Sequence, residues 1–177
     1  LRGYAALRLL VSALAGGSQG RLPARLRDRE GLVYDIIEDL VLAPDLAGLE
    51  LVTSVAPDRL NRLLKRLRGE LEDIATTGLD ETEFARAVAY SLGSYEMAME
   101  NPHEAARWMS NMYLNSGRIV SPTEWTELMA SVGREEVNQL ASSLLREGAV
   151  AWAVSGPVGP EILRTLTSLG EVEEVDW

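Results

Sequence analysis

The sequence predicts an α+β domain in two layers, a sheet packed against several helices. Two observations predict it. First, an opening apolar stripe at helical spacing gives way to two runs of branched and alternating residues between Leu32 and Val55. Second, the helical stripe returns after Pro57 in five successive segments, and one short apolar run then reads as a returning strand. With 177 residues, 46% of them hydrophobic and 25% charged, the chain is long enough to bury one core.

The elements follow in order. Residues 1–15 put Ala6, Leu9, Leu10, Ala13 and Leu14 on one face of an amphipathic helix. The alternative is a secretory leader ending in Ala13-Leu14-Ala15, but Arg8 cuts its apolar run short. Glycines at 16, 17 and 20 end the helix, and residues 21–29 form a second short helical piece. Residues 32–42 are rich in branched side chains and read as a strand. Pro44-Asp45 reads as a turn. Residues 48–55 alternate Leu49, Leu51, Thr53 and Val55 against Glu50, Val52 and Ser54, which makes an antiparallel hairpin.

Pro57 suits a first helical position, and Leu60, Leu63, Leu64, Leu67, Leu71 and Ile74 then follow a helical stripe up to Gly78. Asp80 and Glu83 form a capping box for a helix carrying Phe84, Val88, Leu92, Tyr95 and Met99. Asn101-Pro102 and Ser121-Pro122 each start a further helix, with Glu104 and Glu124 at the third helical position. Residues 134–146 form another, with Val137, Leu140, Ala141, Leu144 and Leu145 on one side. Residues 149–155 read as a buried strand closed by Gly156-Pro157, and a last helix over 160–168 precedes an acidic tail of Glu171, Glu173, Glu174 and Asp176. Three strands cover so many helices poorly. The whole of 1–177 is therefore read as one domain whose sheet is completed by strands preceding Leu1 or by another chain.

Composition excludes several chemistries. No cysteine means no disulfide framework, cysteine nucleophile or cysteine-ligated zinc. One histidine, His103, excludes any site here that needs two, H-x-x-E-H included. A net charge of −10 argues against nucleic acid as a partner. No apolar run approaches the roughly 20 residues of a membrane span; soluble cytoplasmic and periplasmic locations both stay open. The plainer readings prevail elsewhere. His103 is an exposed helix-start residue. The 16–20 glycine turn lacks the lysine of a phosphate-binding loop. Arg59, Arg62, Lys65 and Arg66 make a solvated basic helix face. Glu96 and Glu100 are too few for a metal. Trp108, Met109, Met112, Tyr113, Trp125 and Met129 are core, with a peptide-facing wall as the minor alternative.

One segment is more specific. Gly16-Gly17, Arg21-Leu22, Arg27-Asp28, Gly31-Leu32 and Tyr34 resemble, in order, the C-terminal domain of the insulinase/pitrilysin zinc metallopeptidases, which include the mitochondrial processing peptidase. The resemblance extends through residues 79–84, 134–137 and Ser155-Gly156-Pro157, and covers about residues 5–157. Asp28 stands where the family has Glu, and the glycine turn is shorter than in the family's non-catalytic processing subunit. The resemblance implies a clamshell in which zinc belongs to an N-terminal domain, in the same polypeptide or on a partner chain, so no metal ligand lies in this chain. It implies that Arg27 and Tyr34, seven positions apart, contact the peptide substrate and stabilise its transition state beside that zinc. An inactive scaffold of the same fold is the alternative, and a dimer is compatible with either.

Overall fold

Helix α1 (Arg2–Ala15) forms the centre of the computed structural model, which describes residues 1–43, 46–145 and 150–174. Ten of its fourteen residues are buried. That exceeds the single apolar face expected from its spacing: Leu7, Val11 and Ser12 are buried as well. The reason is tertiary. Helices α3 (Glu81–Met99), α5 (Pro122–Ser131) and α6 (Arg134–Leu144) pack around α1, and so does a hairpin of β1 (Ile37–Ala43) and β2 (Leu46–Val52). A helix covered on most sides must be apolar on most sides, and only Arg2, Gly3, Tyr4 and Arg8 keep some exposure. Its one buried hydroxyl is satisfied, since Ser91 Oγ on α3 donates to Ser12 Oγ at 2.7 Å.

The hairpin is antiparallel as expected, with Ile37 opposite Val52 and Leu40 opposite Leu49. Its bounds differ from the sequence reading. Residues 32–36 are not in β1, and residues 53–55 are not in β2. Leu32 and Val33 are drawn into the core instead. Thr53 Oγ1 donates to the Asp35 carbonyl at 2.6 Å, so a side chain satisfies a group that the ladder would otherwise pair. The turn at Pro44-Asp45 lies outside the described residues. Leu49 and Leu51 pack inward, whereas Ile37, Val41 and Val52 are exposed on the outer face.

The remaining helices match the stripes and caps. Helix α2 (Leu60–Thr77) follows a 3-10 turn at Pro57–Arg59, so Pro57 starts that turn and not the helix itself. The capping box of α3 is complete: Glu83 N–H donates to Asp80 Oδ1 at 2.8 Å and Asp80 N–H to Glu83 Oε2 at 3.1 Å. Asn101 caps α4 (Pro102–Ser116) and Ser121 caps α5. Helix α7 (Pro160–Thr167) packs on α2. Residues 150–155 are not a strand, contrary to expectation. Val150 and Trp152 still pack on the core, but extended backbone needs a neighbouring strand for its hydrogen bonds. Among the described residues the sheet has two strands only. Helices and a small antiparallel sheet together make this an α+β fold.

Two contacts position the ends of α1. Arg2 donates from Nε to Glu136 Oε2 and from one terminal nitrogen to Glu136 Oε1, both at 2.6 Å. Those bonds, joined by the Gly133 N–H, hold the Glu136 carboxyl down to about 2. Because its folded value lies below the ordinary 4.5, its contribution to stability is complete above about pH 4.5 and is lost as pH falls toward 2. An acid titration of the melting temperature should show that decline, and Glu136→Gln should flatten it.

At the other end, Gly20 lies against the helix. A Cβ there would stand 2.8 Å from the Ala15 carbonyl carbon and 2.9 Å from the Ala15 Cα, both main-chain atoms. Gly20→Ala should therefore cost about 1–3 kcal/mol, read as a lower denaturation midpoint.

Candidate functional site

Residues 21–34 form one continuous device. Pro23–Arg29 winds as a π-helix, a rare form found repeatedly at functional sites. It ends on Gly31 at φ +59°, a conformation open to glycine without a steric penalty. Gly31 N–H donates to the Arg27 carbonyl at 3.0 Å and Leu32 N–H to the Leu26 carbonyl at 2.8 Å. These are the two bonds of a Schellman closure, each one residue wider, as the looser winding requires. Beyond the turn, Leu32 and Val33 anchor in the core and Tyr34 points out, 87% exposed. The sequence reading placed Tyr34 in a strand. It stands instead on a bend ahead of β1, where its ring is free of the sheet.

Arg27 lies on the last turn of the π-helix, a third exposed. Its Nε donates to Asp28 Oδ1 at 2.7 Å, and a terminal nitrogen donates to Oδ2 at 3.3 Å. The Asp28 hydrogen bond holds the Arg27 guanidinium above its ordinary value, and the negative charge of Asp28 acts in the same direction. The Asp28 bonds use two of the five N–H donors of Arg27 and leave three for another acceptor. Nine of the seventeen Lys and Arg residues fall within 21–29 and 59–68, segments that pack together, and six of the nine are ion-paired with acidic residues.

A buried ion cluster underlies the device. Arg21, only 7% exposed in its side chain, pairs at 3.0 Å with both Asp73 on α2 and Glu83 on α3. Arg25 pairs with buried Glu70.

The other sequence candidates fall elsewhere. His103 is exposed, and its backbone N–H bonds to Asn101 Oδ1 at 3.0 Å. Met112, Trp125 and Met129 are buried as expected, and Trp108 and Met109 are half-buried, but Tyr113 is exposed on the outer side of α4. A cleft of about 800 Å³ opens beside this group, between α1, β1, α3 and α4. Tyr95, Trp108, Trp125 and Tyr4 stack along it with centroids 5.1 to 5.9 Å apart. Burial pushes the Tyr95 phenol up to about 12. Neither Arg27 nor Tyr34 lines this cleft.

The basic helix face was read as solvated, and its four cations are exposed; three of them also bond to residues 30 and 31. The signal for this was the spacing of Arg59, Arg62 and Arg66, which share one side of a helix. What lay opposite that side could not be read from spacing. Among the described residues no group of three or more His, Asp or Glu could hold a metal ion, and no helix is long and apolar enough to cross a membrane.

Comparison with known proteins agrees with this architecture. A zinc protease of Mycobacterium tuberculosis is 30% identical over 168 residues, covering 91% of this chain and 38% of its own length. One from Streptomyces coelicolor is 27% identical over 140 residues, covering 79% of this chain and 30% of its own. The chain thus spans well under half the length of these relatives. Among solved structures, an M16-like peptidase from Alicyclobacillus acidocaldarius superposes with a TM-score of 0.69 at 22% identity, over 80% of this chain and 33% of that one. A protease from Helicobacter pylori gives 0.68 at 16% identity, over 81% and 35%. These two share the fold. The family model of the peptidase M16 inactive domain matches residues 1–90, the part that holds α1, the glycine turn, the π-helix and the hairpin, and the chain belongs to that family.

Proposed function

We propose that this chain is the metal-free half of a zinc metalloendopeptidase, in which Arg27 and Tyr34 bind the peptide and stabilise its transition state. The observation that carries the reading is the exposed Tyr34, held just beyond the left-handed turn that closes the helix carrying Arg27. A tyrosine this exposed adds nothing to the core, and its phenol has no hydrogen-bond partner among the described residues. It is free to donate to a substrate.

Among the described residues no clustered ligand set for zinc is present, and the reading assigns zinc to another domain of the polypeptide or to a partner chain. Attack on a peptide carbonyl moves negative charge onto its oxygen. A phenol O–H and a guanidinium aimed at that oxygen stabilise the charge where it develops, and do so most strongly where water is excluded. Among the described residues neither outer edge of the hairpin pairs with a further strand, which supports completion of the sheet by strands from outside this chain.

The test is cleavage of a quenched pool of unstructured peptides by the full-length protein. Cleavage that a chelator stops and Tyr34→Phe impairs supports the reading. No cleavage with zinc supplied would identify a scaffold of the same fold.

A further inference from the structure

We infer that Glu30, gripped by Arg62 and Arg66, is a positioning residue that fixes the turn at Gly31 and thereby aims Tyr34 at the substrate. The inference rests on the assignment of Tyr34 above and deepens it.

Glu30 is the last residue before the left-handed turn, four positions ahead of Tyr34. Its side chain is 17% exposed. Both carboxylate oxygens are taken: Arg66 Nε donates to Oε1 at 2.6 Å and a terminal nitrogen of Arg62 donates to Oε2 at 2.9 Å. One residue on, Arg59 donates to the Gly31 carbonyl at 2.8 Å. Three guanidinium groups from one side of α2 and its preceding turn thus converge on two consecutive residues. Burial pushes the Glu30 carboxyl up, but the bonds from Arg66 and Arg62 outweigh it and hold it below the usual range.

The expense of this arrangement in ordered arginines is not explained by stability. Arg62 and Arg66 are about half exposed, and such pairs typically contribute about 0–1 kcal/mol each. Position explains it better. Tyr34 is too exposed for packing to orient it, so its aim is set by the backbone on either side. On the far side the Thr53 hydroxyl fixes Asp35. On the near side Leu32 and Val33 are anchored in the core, and Glu30 and Gly31 fix the turn that leads into them.

The experiment compares wild-type full-length protein with Glu30→Gln, Glu30→Asp, Tyr34→Phe and the Glu30→Gln/Tyr34→Phe double variant. Glu30→Gln should lower kcat roughly 10- to 100-fold, the scale of a misplaced group, with KM nearly unchanged. Its melting temperature should stay within about 3 °C of wild type, while hydrogen exchange quickens at the amides of residues 32–36. Glu30→Asp should recover part of the rate. The double variant should lose little beyond Tyr34→Phe alone, because both changes disable one device. If Glu30→Gln melts early, Arg66→Gln carries the same comparison. Normal kcat and normal exchange in Glu30→Gln, beside an impaired Tyr34→Phe, would overturn the positioning role and leave Tyr34 standing. Full activity in Tyr34→Phe would overturn both.

Discussion

Tyr34→Phe should, on the proposed reading, lower kcat of the full-length protein roughly 100- to 1000-fold, the usual loss for one donor to a developing oxyanion. Arg27→Ala should lose at least about 100-fold. The phenylalanine variant is the cleaner of the two. It removes one hydroxyl from a ring that is 87% exposed, so neither core volume nor a buried hydrogen bond changes. The melting curve and the zinc content should therefore match wild type. Arg27→Ala also frees Asp28, whose carboxyl the Arg27 hydrogen bond now holds below its ordinary value. That effect stays at the surface, and a Lys at position 27 would keep the charge while losing the planar fork. A fall in kcat with KM unchanged would mark an interaction made only in the transition state, whereas a rise in KM alone would mark simple substrate binding. If the enzyme is active and neither substitution slows it, the family assignment holds and the assignment of Arg27 and Tyr34 fails.

Arg21→Met should be the most destabilising single change away from the apolar core, by about 3–5 kcal/mol. Arg21 is the common partner of Asp73 and Glu83, and it joins the glycine turn to α2 and α3 at once. Methionine keeps much of the volume and removes the cation, so the carboxylate of Glu83 is left partly buried without its partner. For a domain of this length such a loss lowers the melting temperature by roughly 6–20 °C. The sign of the effect has its own control. Adding Glu83→Gln and Asp73→Asn to Arg21→Met should recover part of the stability, because the penalty comes from stranded charge and not from a lost attraction. A loss below about 1 kcal/mol would show that the cluster behaves like an exposed ion pair.

Local patterns were legible wherever the physics is local. The caps at Asp80, Asn101 and Ser121 were read from residue type and spacing, because a helix start needs an acceptor within three residues of its free N–H groups. The hairpin was read from alternation. Its limits were not, because they depend on Thr53 reaching Asp35 and on Leu32 and Val33 entering the core. The returning strand was read from an apolar run, and an apolar run reports burial without reporting a partner. Tyr113 was placed in the core from helical spacing, yet it lies exposed on α4 beside exposed Leu114.

By itself, the sequence determined the fold class, the order and caps of the helices, the absence of a two-histidine metal site, and the Arg27–Tyr34 spacing. Each of these follows from residue type and short separation along the chain. Only the tertiary structure decided that α1 is buried well beyond one face, that Arg21 is a buried hub, that Tyr34 faces outward, and that Arg59, Arg62 and Arg66 bond to Glu30 and Gly31 while staying exposed. Those outcomes depend on which surfaces meet across about 28 to 134 residues of chain, where pairing is set by the packing of whole elements and no local pattern carries the information.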